Sequence, residues 1–333
     1  MNNYIKKNIL ICGLSNTQIF TLENINNFYT IQQYYLNNFI NKYYSQYSVD
    51  NIDARYINDY NICYSDYDFI IIIFKYLVDY EAFKNIQRQN KKIIFISDIN
   101  TGYDFNYLYS ILFMNKLIYD KKYVSEIKLN NYVKINNTYY CEWGVDTDRL
   151  YVKNKNINNI TILIDHFGED KGVLYPDKTL EILNRMVKYK KNRNNIKLKM
   201  YTNGQSKYGG FEDRGLKKET YQKDIEFIPT ISYKENLDII STCDIYILTH
   251  AESFGLDICL YAMAGNLILC YEMHKDAVIW KNNVNYNIVD FDTITDEELD
   301  DIILNLDKKS NFNKVQNNTY ENTIGKCLRD ILI

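Results

Sequence analysis

Glu252 is the residue from which a chemistry can be read outward. It stands in Thr249-His250-Ala251-Glu252-Ser253-Phe254-Gly255-Leu256, a polar turn set between two apolar stretches. A carboxylate here can accept hydrogen bonds from sugar hydroxyls, and Gly255, lacking a Cβ, lets a ligand come close to the backbone. Beyond the turn, Leu256, Cys259, Leu260 and Met263 recur at i, i+3, i+4 and i+7, the stripe of a helix packed on one face. Free N–H groups at the start of that helix point at whatever the turn binds. Ahead of the turn, Asp244-Ile-Tyr-Ile-Leu248 is an apolar run of the kind found in a central parallel strand. Strand, turn and helix together predict the carboxyl edge of a doubly wound sheet, which is where such sheets bind ligands.

Three histidines, His166, His250 and His274, fall at predicted strand carboxyl ends in the second half. Their spacing fits no metal-ligand pattern, so no metal is expected. His250 stands two residues before Glu252. Seven cysteines are spread singly without a C-x-x-C pair, the pattern of buried, reduced thiols in a cytoplasmic protein.

Composition narrows the function classes further. The chain has 333 residues, enough for two ordinary domains, and is 46% hydrophobic and 24% charged, as in globular proteins. A formal net charge of -3 argues against a nucleic-acid surface, and the 33 tyrosines are scattered without basic interleaving. Lys6-Lys7 before Ile9–Cys12 resembles the start of a signal peptide, but the apolar run breaks at Gly13 and reads as a first strand. The longest apolar run, Phe69 to Phe74, is too short to cross a bilayer, and no transmembrane segment is expected.

The elements that must position Glu252 follow in order. Lys7 to Gly13 is an opening strand, with Gly13 at the sheet edge and a long helical stretch running to about Tyr47. No G-x-G-x-x-G follows that strand, which argues against a dinucleotide site. Phe69–Phe74 and Lys92–Ser97 are further buried strands, and the polar Asp98, Asn100, Thr101 and Gly102 follow at the carboxyl end of the second, a candidate binding edge. The Asn- and Lys-rich run from Lys153 to Asn159 reads as a linker. A second unit opens with strand Ile160–Ile164, helix Asp177–Lys191 and strand Lys197–Tyr201, which ends at Thr202-Asn203-Gly204. Asn203 and Gly204 lie at the same edge and could approach a nucleotide. Phe211 to Lys223 is helical at most, and Ile225–Ile228 is a short strand. Ser232-Tyr-Lys-Glu235 and Thr295-Asp-Glu-Glu298 are capping boxes that open helices, and Leu267–Cys270 is a strand between them. Asn311 to Ile333 reads as a terminal helix.

Glu252-Ser-Phe-Gly-Leu256 followed by Ala262-Met-Ala-Gly265 resembles the donor-site signature of the retaining GT-B glycosyltransferases of family 4, E-G/S-F-G-L-P-x-x-E-A-M-A-x-G. Leu260 stands where the family's second glutamate lies. If the Ala-Met-Ala segment is aligned instead, Tyr261 takes that place. The family uses this glutamate to hold the nucleotide ribose, and Tyr261 or Asp257 would substitute for it here. The pair lies i, i+4 on the helical face away from the apolar stripe. Asp165-His166-Phe-Gly-Glu-Asp-Lys171-Gly172 resembles the family's G-R-L-x-x-x-K-G phosphate loop, with Lys171-Gly172 matching and Asp165 and His166 replacing its glycine and arginine. Tyr140-Cys-Glu-Trp-Gly-Val-Asp146 resembles the segment that closes the family's first domain. The likeness is specific from Asp165 to about Asp292 and rests on element order alone before that.

What the resemblance implies is an α/β protein with two doubly wound Rossmann-like domains facing across a cleft. Residues 1–152 would bind the acceptor, 153–310 the nucleotide sugar, and 311–333 would form a helix crossing back to the first domain. The implied activity is that of a retaining hexosyltransferase, moving a sugar from a nucleotide diphosphate to an acceptor hydroxyl by front-face displacement. Glu252, Lys171 and His166 would be its catalytic residues. His250, Ser253, Phe254, Gly255, Leu256, Asp257, Tyr261, Asn203 and Gly204 would line the donor site, and Gly13, Asp98 and Asn100 the acceptor side. Charge growing on the departing diphosphate requires a cation, which Lys171 supplies. His166 lacks the bidentate fork of the arginine it replaces. The enzyme would need no metal and no cofactor beyond its donor substrate. Two other readings share the architecture: a sugar-nucleotide epimerase, and a non-catalytic nucleotide-sugar-binding relative.

Overall fold

The computed structural model describes residues 7–13, 28–73, 80–89, 92–96, 132–135, 138–141, 144–145, 150, 156, 158–165, 176–201, 218–229, 231–249, 256–271, 286–305 and 319–332. The chain divides into two compact units, Met1–Asp146 with Asn317–Ile333, and Thr147–Gln316. Each has its own six-stranded sheet.

The first unit runs β1 (Lys7–Gly13), α1 (Phe28–Tyr43), β2 (Tyr47–Asp53), β3 (Phe69–Ile73), α2 (Tyr80–Gln89), β4 (Ile93–Ile96), β5 (Tyr132–Ile135) and β6 (Thr138–Cys141). The strand order is β2-β1-β3-β4-β6-β5. All neighbours are parallel except β5, which pairs antiparallel with β6. Ile9 to Cys12 and Phe69 to Ile73 are buried throughout, as strands covered on both faces must be.

β2 departs from the sequence reading, which extends the preceding helix to about Tyr47. α1 stops at Tyr43 and seven residues of edge strand follow. Tyr-Ser-Val-Asp-Asn-Ile-Asp shows no apolar run because part of its inward face is amide. Gln33 and Asn37 of α1 each donate from a side-chain amide to Asn51 Oδ1, at 2.8 and 2.9 Å, and Asn51 donates back to Asn37 Oδ1 at 3.0 Å. All three side chains are buried. Hydrogen bonding within the set makes that burial tolerable.

The second unit runs β7 (Ile160–Ile164), α3 (Pro176–Lys190), β8 (Ile196–Tyr201), α4 (Lys218–Tyr221), β9 (Ile225–Ile228), α5 (Tyr233–Thr242), β10 (Ile245–Leu248), α6 (Leu256–Met263), β11 (Leu267–Cys270), β12 (Tyr286–Ile288) and α7 (Asp296–Leu304). Its order is β12-β11-β10-β7-β8-β9, parallel at every pairing. The core is formed by these strands with Ile182, Leu183, Met186 and Tyr189 of α3 and Leu299 and Ile303 of α7. Both predicted capping boxes form, Ser232 with Glu235 at α5 and Thr295 with Glu298 at α7.

Ion pairs clamp α7 to α3. Arg193 holds Asp296 at 2.8 Å and Asp300 at 2.7 Å, Arg185 holds Asp296 at 2.8 Å, and the Tyr189 hydroxyl donates to Asp300 at 2.6 Å. Burial alone would raise the Asp296 pKa, but hydrogen bonds from Arg193 and Arg185 outweigh it and hold the carboxyl below its ordinary value. Asp300 is lowered first by Arg193.

The last described residues belong to the first unit. Thr319 bridges Val145, and the Tyr320 N–H donates to the Val145 carbonyl at 3.2 Å. α8 (Ile324–Leu332) follows, and the Tyr132 hydroxyl donates to its Asp330 at 2.5 Å. Where the sequence suggests helix from Asn311 onward, the described stretch is bridge and turn until Ile324 because its backbone groups are engaged with Val145. Among the described residues no helix is long and apolar enough to cross a membrane.

Candidate functional site

In the second sheet the chain winds outward from β7 in two directions, through β8 and β9 on one side and β10, β11 and β12 on the other. The strand order reverses between β7 and β10, which are hydrogen-bonded neighbours with Ile164 opposite Ile247. The Asp165 N–H donates to the Ile247 carbonyl at 3.0 Å, so the pairing continues to the very end of β7. A parallel sheet opens a crevice at such a reversal, outside its carboxyl ends. The segments leaving there are 166–175, between β7 and α3, and 250–255, between β10 and α6. These are the two stretches in which the sequence concentrates its polar and cationic candidates.

Glu252, Lys171 and His166 themselves lie outside the described residues. So do His250, Ser253, Phe254, Gly255, Asn203, Gly204, Asp98 and Asn100. Of the expected site residues, Leu256, Asp257 and Tyr261 are placed on α6 and Gly13 at the end of β1.

Leu256 and Asp257 are the first two residues of α6, beside the reversal point. Tyr261 lies one turn farther on, and the sequence puts it on a polar helical face. Tyr261 is instead interior, like every position of α6 from Ile258 to Met263. Tyr261 is 2% exposed; its ring stacks on Tyr246 with centroids 3.8 Å apart and planes 7° apart, and its hydroxyl lies 3.2 Å from that of Tyr201. Leu260, the alternative position for the family's glutamate, is 6% exposed. Desolvation, then the neighbouring Tyr201, raises the Tyr261 pKa well above its ordinary value.

α6 ends in a turn that explains Gly265. The Gly265 N–H reaches the Ala262 carbonyl at 2.9 Å, the Asn266 N–H reaches Tyr261 at 2.9 Å, and Gly265 has φ of 79°. This is the left-handed helix cap that glycine favours. The glycine in the Ala-Met-Ala-Gly string thus has a backbone reason to be there. Gly13 is also explained by packing: a Cβ there would lie 2.4 Å from Gln33 Oε1.

A polar cluster that the sequence reading missed stands at the ends of β11 and β12. The Tyr271 hydroxyl donates to Glu181 at 3.0 Å, and Lys178 on the first turn of α3 lies 2.5 Å from Glu181 and 2.9 Å from Asp292. Burial, then the Glu181 carboxylate, raises the Tyr271 pKa. Lys178 and Glu181 are an i, i+3 pair on α3, but their contacts with Asp292 and Tyr271 span 114 and 90 residues, and no local spacing reveals those. Among the described residues no group of three or more His, Cys, Asp or Glu side chains could hold a metal ion. Six of the seven cysteines are buried, whereas Cys63 is exposed.

No protein-family model matches the chain, and no curated protein matches it either. Solved structures do. Sucrose-phosphate synthase from Thermosynechococcus elongatus aligns with a TM-score of 0.57 at 11% identity, covering 98% of this chain and 99% of its own. A protein described as a UDP-N-acetylglucosamine 2-epimerase from Listeria monocytogenes aligns at 0.53 and 10% identity, covering 98% and 95%. AviGT4, a glycosyltransferase involved in avilamycin A biosynthesis, aligns at 0.52 and 8% identity, covering 98% and 96%. Identities this low speak for architecture alone: the two parallel α/β sheets of this chain have the GT-B glycosyltransferase fold.

Proposed function

We propose that this protein is a retaining glycosyltransferase that moves a hexose-type sugar from a nucleoside diphosphate to an acceptor hydroxyl. The observation that carries the reading is the pairing of β7 with β10 at the strand-order reversal. It makes neighbours of the strands that lead into the Lys171-Gly172 and Glu252-Ser-Phe-Gly segments. A diphosphate-linked sugar needs both a cation and a hydroxyl-binding carboxylate, and these adjoining segments carry them.

In this reading the protein supplies no side-chain nucleophile. Its work is to hold donor and acceptor in register and to stabilise the departing diphosphate. Lys171 meets the phosphates together with N–H groups at the start of α6, where the helix dipole favours negative charge. His166 lies five residues before it, at the carboxyl end of β7, and assists as a hydrogen-bond donor. Glu252 orients the sugar hydroxyls, with His250, Ser253, Phe254, Gly255 and Leu256 around it. Asp257, in the first turn of α6, stands for the missing ribose-binding glutamate. Asn203 and Gly204 after β8 complete the donor side. Gly13, Asp98 and Asn100 mark the acceptor side in the first unit, whose acceptor site differs from one such enzyme to another.

A second reading, sugar-nucleotide epimerisation, is kept because one fold neighbour is described as a 2-epimerase. Incubation with a panel of nucleoside diphosphate sugars separates the two. Transfer, or slow hydrolysis to free sugar and nucleotide, is expected; recovery of an epimerised donor would replace the proposal with the second reading. Lys171→Ala tests the site, and it is expected to weaken nucleoside diphosphate binding about tenfold or more while leaving nucleoside binding nearly unchanged. Equal losses for both ligands would remove Lys171 from the phosphate role.

A further inference from the structure

Tyr201, Tyr261 and Asn236 join three elements that border the candidate site. Tyr201 is the last residue of β8 and is half-buried at the carboxyl edge of the sheet. Asn236 lies on the first turn of α5, which follows β9, and Tyr261 lies on α6, which follows β10. The Tyr201 hydroxyl donates to Asn236 Oδ1 and lies 3.2 Å from the Tyr261 hydroxyl. A phenol has one proton to give. Tyr201 gives its proton to Asn236, so the bond between the two phenols must be donated by Tyr261. The chain therefore runs in one direction, from Tyr261 to Tyr201 to Asn236. Tyr246, stacked flat beneath Tyr261, fixes the ring from which it starts.

We propose that this hydroxyl chain is a positioning device for the donor site, and that Tyr261 acts through Tyr201 and not as a ligand of the ribose. This inference rests on the glycosyltransferase reading above. At the position where a carboxylate would reach outward, the chain has a buried phenol that reaches sideways. It ties α6, in its carboxyl-terminal half, to the end of β8, where 202–204 begin, and so fixes the helix that follows the 250–255 segment in the chain. Losing either hydroxyl unties α6 from β8 while leaving the aromatic packing intact. Because the hydroxyls differ in what they donate to, the two ends of the chain respond to different substitutions.

The test uses the full-length chain and titration calorimetry with UDP, GDP and ADP, continued with whichever binds tightest. Tyr261→Phe and Tyr201→Phe are each expected to weaken binding about three- to tenfold, the effect of one hydrogen bond, and to shift the melting temperature by less than about 4 °C. The double variant should bind no more weakly than the weaker single one, because both break the same chain. Asn236→Asp keeps the acceptor oxygen and should retain affinity, whereas Asn236→Ala should match the phenylalanine variants. Unchanged affinity in the phenylalanine variants, with or without a lower melting temperature, overturns the inference and leaves a purely structural contact. Additive losses in the double variant overturn it as well. Failure of the unaltered chain to bind any of the three nucleotides removes the donor reading itself and this inference with it.

Discussion

The α1–β2 region of the first unit and the β10–α6 region of the second handle polar groups in opposite ways. β10 and its neighbours β7 and β11 are buried at every position and carry one polar residue between them, Thr161. Other buried polar residues, Asp165, Asp244, Thr249 and Asn266, stand just beyond the ends of these three strands. Asp244, just before β10, accepts the Thr161 N–H at 2.8 Å at the amino edge, and the segments with Lys171 and Glu252 leave from the carboxyl edge. β2, by contrast, carries Asn51 into the layer between sheet and helix, where Gln33 and Asn37 meet it. An apolar strand can slide by two residues at modest cost, but a buried amide set fits only one register. The second unit thus keeps most polar groups out of its central strands, whereas the first mixes them into its core.

That contrast can be broken by mutation, and the largest expected effect lies in the second unit. On the proposed function, Glu252→Ala should lower turnover by about 10²- to 10³-fold with an unchanged melting temperature. A variant that keeps most of its turnover would detach Glu252 from the chemistry. Asn51→Leu should do the reverse, lowering stability in urea by about 2 kcal/mol by removing the Asn51 hydrogen bonds of the buried Gln33 and Asn37 side chains, with nucleotide binding unaltered. A neutral result there would mean that the amide set is replaceable packing.

Smaller effects sharpen the picture of the second unit. Gly265→Ala should cost about 1 kcal/mol, since alanine is strained at the observed positive φ; equal urea midpoints for the two proteins would contradict this. The clamp on α7 gives a pH signature. Asp296 and Asp300 have folded pKa values below their ordinary ones, so their contribution is present above the unfolded carboxylate value and is lost as pH falls through the folded one. Asp300→Asn should therefore destabilise at pH 7, with the gap closing as pH falls through the lowered folded pKa of Asp300. The difference is expected to stay below about 1 kcal/mol because the Asp300 side chain is 44% exposed. A gap that is the same at every pH would assign the loss to packing.

Legibility from sequence follows the same divide. Ile160–Ile164, Ile245–Leu248 and Leu267–Cys270 are continuous apolar runs and announce themselves as buried parallel strands. The two capping boxes are written within four residues each, so helix starts at Tyr233 and Asp296 are readable. β2 was hidden because Asp50 and Asn51 interrupt its pattern, and β12 because three residues at a sheet edge give no period. The string around Glu252 is contiguous, which is why it can be singled out from sequence, and residues 250–255 lie outside the described ones. The Tyr201–Tyr261 bond joins residues 60 positions apart, and nothing in either neighbourhood marks them as partners.

The docking of residues 319–332 onto the first unit also bears on how the protein is made. Phe39 is covered by Gly325, where a Cβ would lie 2.5 Å from its ring, and Tyr35 packs against Tyr320. During synthesis the second unit is contiguous and can close as soon as it clears the ribosome. The first unit emerges earlier yet leaves Tyr35 and Phe39 without this cover until residues 319–332 have been made.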